Sequence, residues 1–133
     1  MKKRKEIILL FLLISVFVAF IFSCKKENKD PEGAISLEVE IVHHDRPVIG
    51  LPVYLKANSS EFPGRDSTQY DYKQVTDQNG KVNFTKLAPG IDYLYAYGFD
   101  NVAGENVIGY TPVNLNSVSV QNNKANIVLY VSE

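Results

Sequence analysis

The sequence predicts an all-β fold: seven or eight short strands closing into an antiparallel β-sandwich behind an N-terminal signal segment. Three observations carry that expectation. From Ile35 onward the apolar residues recur with a period of two, the period of a strand with one buried face. Turn-forming residues recur roughly every 8–12 positions, the spacing of a sandwich. After the first two dozen residues, no window carries a helical stripe.

The first segment is an address. Of the 133 residues, 45% are hydrophobic and the formal charge is −1, but neither figure is spread evenly. Lys2, Lys3, Arg4 and Lys5 form a basic opening, and the 16 residues from Ile7 to Phe22 contain no charge and one polar residue, Ser15. At ~1.5 Å per helical residue that run reaches roughly 24 Å, short of the ~30 Å hydrocarbon core of a bilayer. Without residues 1–23, Lys and Arg number 10 against 14 Asp and Glu, a net charge of −4. A mildly acidic remainder argues against nucleic-acid binding, which needs a basic patch to neutralise phosphates. A remainder of this size also lacks room for a Rossmann or barrel enzyme, and no Gly-rich phosphate loop is present. A disulfide framework is excluded by the single Cys.

That Cys stands at the boundary. The apolar run ends at Ile21-Phe22-Ser23-Cys24, and the chain turns polar at Lys25-Lys26-Glu27-Asn28-Lys29-Asp30. This arrangement resembles a lipoprotein signal of the Bacteroidota, although Ile21 and Phe22 depart from the usual Leu and small residue. The resemblance implies lipidation at Cys24 and anchorage, outside the cytoplasm, to the bacterial outer membrane, on its periplasmic or surface face. An uncleaved membrane anchor is the alternative. Residues 24–34 then read as a solvated tether, and residues 35–133 as the folded domain.

The strands follow in order. Ile35, Leu37, Val39 and Ile41 alternate with Ser36, Glu38 and Glu40, aliphatics inward and carboxylates in water. Residues 45–50 are a turn region, and 51–57 a second strand with Val53 and Leu55 inward. A long loop with Pro63-Gly64 covers 58–67, and strand character resumes over 70–76. Asp77-Gln78-Asn79-Gly80 is the strongest hairpin signal, because Asn-Gly tolerates the positive φ of tight hairpins. Val82 and Phe84 share a face of the next strand. In the following one, Ile91, Tyr93, Tyr95, Tyr97 and Phe99 form a row that reads as core, with an exposed aromatic platform as the alternative, opposite Asp92, Leu94, Ala96 and Gly98. Residues 107–110 and 113–120 are shorter strands. After a turn at 121–124, Ala125, Ile127, Leu129 and Val131 alternate in the last strand.

Three stretches carry a family resemblance: Arg46-Pro47-Val48-Ile49-Gly50-Leu51-Pro52-Val53-Tyr54-Leu55, then Val75-Thr76-Asp77-Gln78-Asn79-Gly80-Lys81-Val82-Asn83-Phe84, then Leu87-Ala88-Pro89-Gly90-Ile91-Asp92-Tyr93. Together they resemble the prealbumin-like group, which includes transthyretin-like, carboxypeptidase regulatory-like and collagen-adhesin B-type domains. The resemblance implies a prealbumin-like sandwich and says little of activity, since its motifs are turn chemistry. Two implied chemistries fail on the residues. The Lys–Asn isopeptide bond of collagen-adhesin repeats needs a Lys late in the first strand, which residues 35–42 lack despite Asn126 in the last, so no intramolecular isopeptide bond is expected. The hydroxyisourate hydrolases end in Tyr-Arg-Gly-Ser, whereas this chain reads Leu129-Tyr130-Val131-Ser132-Glu133.

Few residues are left to carry chemistry. His43, His44 and Asp45 are the one cluster of metal-ligand types. Neighbours in a regular strand point to opposite faces, and although a turn could bring His44 and Asp45 together, no third ligand is identifiable. The expectation is therefore polar residues closing a strand, with no metal and no cofactor. Catalysis is not expected, because two adjacent His and a lipid-assigned thiol supply no placed base or nucleophile. Tyr70, Tyr72 and Tyr110 are the tyrosines expected to be exposed, as a platform for a sugar or protein partner. Asp66-Ser67-Thr68 resembles a Bacteroidota O-glycosylation acceptor, with Ser67 as the modified residue. The sequence therefore reads as a membrane-anchored, non-catalytic module binding an extracellular glycan or protein. The alternative is a structural subunit or stalk of a surface assembly, and a third reading is a metal-dependent or hydrolytic enzyme.

Overall fold

The computed structural model describes residues 34–116 and 121–133. The signal segment, Cys24 and nearly all of the tether lie outside the described residues, as do positions 117–120. The described chain is the all-β sandwich that the alternation predicts. Its strands are β1 (Ile35–His43), β2 (Arg46–Pro47), β3 (Pro52–Lys56), β4 (Tyr72–Val75), β5 (Lys81–Leu87), β6 (Ile91–Asp100), β7 (Glu105–Asn114) and β8 (Lys124–Tyr130).

They form two sheets. In the first, β1 is central, with β5 antiparallel on one side and β8 parallel on the other. The short β2 continues the line of β5: the Ile41 carbonyl accepts the Val48 N–H at 3.0 Å, while the Ile41 N–H donates to the Gly80 carbonyl at 2.8 Å. The second sheet, β4-β3-β6-β7, is antiparallel throughout. The parallel β1–β8 pair corrects the all-antiparallel expectation. Strand direction leaves no trace in the alternation of a single strand, so the period could not show it.

Alternation places the core. Leu37, Val39 and Ile41 of β1 meet Val53 and Leu55 of β3 and Leu94 and Ala96 of β6, all fully buried, with Phe84 of β5 among them. Each such Leu, Ile, Val or Phe contributes about 1.5–3 kcal/mol by leaving water. On β6 the inward row is thus Leu94 and Ala96, not the tyrosines that the sequence reading put there. Space decides it: a Cβ on Gly98, in the same inward row, would stand 2.9 Å from Leu51 Cδ1 and 3.1 Å from Pro52 Cδ. Only small side chains fit that approach.

The two sheets are joined along both sides. The Asp77–Gly80 turn forms as predicted, with the Gly80 N–H on the Asp77 carbonyl at 3.0 Å and Asp77 Oδ1 accepting from the N–H groups of Asn79 and Lys81. It does not make a hairpin, however. β4 pairs with β3 and β5 with β1, so the turn carries the chain from one sheet to the other. Just before it, the buried Thr76 hydroxyl accepts the Leu51 N–H at 2.8 Å and donates to the Val48 carbonyl at 2.7 Å. On the opposite side, Ile108 of β7 exchanges backbone hydrogen bonds with Ser132 at 2.8 and 2.9 Å. Gly109 permits that approach, since a Cβ there would lie 2.7 Å from the Tyr130 carbonyl oxygen. β7 is one strand from Glu105 to Asn114 rather than two pieces. Pro112 sits within it without costing a ladder bond, because β7 is an edge strand of its sheet.

Candidate functional site

The tyrosines excluded from the core build a second apolar layer on the outer face of the β4-β3-β6-β7 sheet. Tyr93 and Tyr95 project there and are nonetheless buried, at 8% and 2% exposure, because the long loop folds over them. Phe62 of that loop lies 5.9 Å from the Tyr93 ring and 5.5 Å from Tyr95, and stacks on Tyr110 of β7 at 4.7 Å with planes 17° apart. Tyr70 stacks on Tyr95 at 5.5 Å and Tyr54 does so at 5.9 Å. The Tyr70 hydroxyl donates to the Gly64 carbonyl at 2.8 Å, closing the loop on its own base. Burial pushes the Tyr70 phenol up to about 12, helped by the neighbouring Tyr95 and Tyr93. Tyr97 continues the row, parallel to Tyr95 at 6.4 Å, and Lys73 Nζ sits 5.6 Å over the Tyr54 ring. Phe62, Tyr97 and Tyr110, from 36% to 52% exposed, form the solvent-facing rim of this layer.

The three tyrosines singled out in the sequence therefore occupy three different places. Tyr110 is on the rim. Tyr70 is half-buried beneath it. Tyr72 is off this face altogether: it lies opposite Leu55 in register and packs edge-on against the core ring Phe84 at 6.4 Å, closing the seam between β4 and β5. Sequence reasoning missed Phe62 and Tyr54 and gave Tyr97 to the core. Phe62 in the middle of the long loop was the available signal, since a solvated loop has no need of a large aromatic ring.

The histidines also depart from expectation. His44 and Asp45 have φ of +48° and +59°, the two left-handed central positions of a tight β1–β2 turn. His44 is thus not a strand residue, and its ring stacks on His43 at 4.0 Å instead of pointing to the opposite face. His43 is buried at 1% exposure; its Nδ1 lies 3.0 Å from Asp100 Oδ2 and its Nε2 3.3 Å from Glu133 Oε2. Glu105 Oε1 is 3.8 Å from the same Nε2. The hydrogen bond to Asp100 raises the His43 pKa, burial lowers it, and Glu133 adds to the rise, leaving it above the ordinary value. Asp45 has no part in this group among the described residues.

Ser67 opens a 3-10 turn, Ser67–Gln69, on the exposed part of the long loop. Asp66 caps that turn by accepting from the Thr68 N–H at 3.0 Å and from the Thr68 hydroxyl at 2.7 Å.

No family model and no curated protein matches the chain. Among solved structures, it is similar to BcpA, the major pilin subunit of Bacillus cereus, at 12% identity and a TM-score of 0.51, over 75% of this chain and 30% of that one. The D312A form of BcpA gives the same TM-score over 76% of this chain. The dioxygenase domain of a dioxygenase carbohydrate-binding protein fusion from Streptomyces sp. SirexAA-E is similar at 10% identity and a TM-score of 0.49, over 77% and 82% of the two chains. At these identities the likeness is one of fold. The chain spans under a third of the pilin subunit it resembles.

Proposed function

We propose that the chain is a structural module of a surface assembly, tethered to a membrane outside the cytoplasm through Cys24. The observation that supports this reading over a stand-alone binding module is the edge formed by β8, in a sandwich that shares its fold with a major pilin subunit. Among the described residues, β8 is strand-paired only to β1 over its seven residues. Its outward side chains include Val128 and Tyr130, 44% and 70% exposed. Beyond the Ile108–Ser132 pair, β7 and β8 diverge around a cleft of about 200 Å³ lined by Leu37, Pro112, Val113, Ala125 and Ile127 together with Asn114 and Asn126. A half-paired strand beside a cleft with apolar and amide lining is a template for strand addition. A neighbouring subunit supplying an extended segment along β8 would extend the sheet.

The test separates the backbone edge from the side chains. The Val131 N–H donates to β1 at 2.9 Å, so by alternation the Val128 N–H faces away from β1. Val128→Pro deletes that outward donor and leaves the β1 ladder intact. Sedimentation velocity over a wide range of concentration is expected to show growing species for the native chain and a fixed monomer for the variant. A native chain that stays monomeric contradicts the proposal.

One observation favours a second reading. The rim of Phe62, Tyr97 and Tyr110 is the kind of aromatic surface that binds sugars or proteins. Tyr fluorescence across a glycan panel tests it, and an unchanged signal removes the sugar version. Anchorage is tested by mass spectrometry of membrane-extracted protein: an acylated Cys24 terminus is expected, and a free Met1 without acyl mass would rule it out.

A further inference from the structure

We propose that the β1–β2 end of the sandwich binds one divalent transition-metal ion of the zinc class through His43 Nε2, the His44 imidazole and the Glu133 side chain, with Glu105 in reach as a fourth donor. One ligand atom from each of His43, His44 and Glu133 already lies within 4.8 Å of the others. A tetrahedral ion with bonds of ~2.1 Å holds its ligand atoms roughly 3.4 Å apart. His43 Nε2 and Glu133 Oε2 stand at 3.3 Å, and His44 Nε2 at 3.9 Å from the same oxygen. The His44 side chain is 63% exposed, so it can rotate to close the remaining gap.

Three further features fit a metal ion. Asp100, itself 4% exposed, engages Nδ1 of His43 at 3.0 Å and accepts the Val102 and Ala103 N–H groups at 2.9 and 3.2 Å. A carboxylate held in that way fixes the tautomer that leaves Nε2 free, the usual outer arrangement of a ligating histidine. Next, the turn puts His and Asp at two left-handed positions where Asn-Gly is the favoured pair; the less favoured residue is the one that stacks its ring on His43. The third feature is charge. Asp100, Glu105 and Glu133 converge on one imidazole, and among the described residues no Lys or Arg forms an ion pair with any of them. Two imidazoles with carboxylate oxygen suit zinc, copper or nickel rather than magnesium or calcium.

The same carboxylates could instead hold a proton on His43, and the experiment distinguishes the two. The full chain is purified, stripped with chelator, and titrated with zinc chloride by calorimetry, with magnesium chloride as the control ion. One saturable zinc site is expected, with Tm rising by at least about 4 °C at large excess and no response to magnesium. His44→Ala and Glu133→Gln, both on exposed side chains, are each expected to weaken zinc tenfold or more. Asp45→Asn, on the same turn but outside the cluster, leaves the affinity unchanged. Long-range proton–nitrogen spectra should show zinc on Nε2 of His43. No saturable heat, or zinc binding indifferent to both His44→Ala and Glu133→Gln, overturns the proposal. So does a His43 ring that keeps both nitrogens protonated in the presence of zinc.

Discussion

Phe62 of the long loop stacks on Tyr110 of β7 at 4.7 Å between ring centroids, and that contact roofs a second apolar layer outside the sandwich. Tyr93 and Tyr95 are buried beneath it while Leu94 and Ala96, their sequence neighbours, fill the core between the sheets. β6 is therefore apolar on both faces, which is why its sequence reads as a near-continuous hydrophobic run.

The layer can be removed without opening the core. Phe62→Ala is expected to cost about 1–2 kcal/mol, since the ring is partly exposed already, and to increase quenching of Tyr fluorescence by an added solute. Leu94→Ala is expected to cost about 2–5 kcal/mol with little change in quenching. Denaturant unfolding and quenching of both variants check the pair. A Phe62→Ala chain with native quenching would mean that the loop does not cover the tyrosines.

Thr76 ties the turn before β3 to the end of β4. Replacing its hydroxyl with a methyl in Thr76→Val keeps the shape but strands the Leu51 N–H and the Val48 carbonyl in a buried site. The expected loss is about 1–3 kcal/mol, read as a lower urea midpoint at unchanged slope. Thr76→Ser restores the hydroxyl and should recover most of it.

The tyrosine layer makes stability sensitive to alkali. The Tyr70 phenol is held up to about 12 by burial, against 10.0 for a free one. The folded state keeps a proton that the unfolded chain loses, so this stabilisation is complete below pH 10 and disappears as pH rises toward about 12. Thermal unfolding across that window should show Tm falling more steeply for the native chain than for Tyr70→Phe. Equal slopes would contradict the buried phenol.

Asp92 works in the opposite sense from a surface carboxylate. Burial pushes its carboxyl above the usual range, and the Asn58 N–H at 2.9 Å offsets only part of that. Its ionised form is therefore disfavoured by folding, and the penalty is present at neutral pH and relieved as pH falls through the carboxyl range. Asp92→Asn keeps an oxygen acceptor for Asn58 and removes the charge. Its Tm is expected to exceed the native value at pH 7, with the gap shrinking toward pH 4.

Much of the fold was legible in the sequence because alternation and turn chemistry are local. Ile35, Leu37, Val39 and Ile41 announce a one-sided strand, and Asp77 to Gly80 announces a tight turn. What those signals omit is which strands the turn joins: Asp77 to Gly80 links two sheets, which only pairing can show. Row choice on β6 failed for a similar reason. Aromatic bulk favoured Tyr93, Tyr95 and Tyr97 as core, whereas Leu51 and Pro52 crowd even a Cβ at position 98, and that constraint comes from the start of β3. The histidine group was least legible. It gathers His43 and His44 from the first turn, Asp100 and Glu105 from the β6–β7 junction and Glu133 from far along the chain, and it depends on a positive φ at His44 that the residue type does not advertise.

Assembly of this sandwich through the outward edge of β8, as proposed, is read most directly by sedimentation velocity on the native chain and on Val128→Pro. Species that grow with concentration are expected for the native chain and a monomer for the variant, with circular dichroism showing the same sheet in both. A native chain that sediments as one monomer at every concentration, or a variant that assembles equally well, would contradict it.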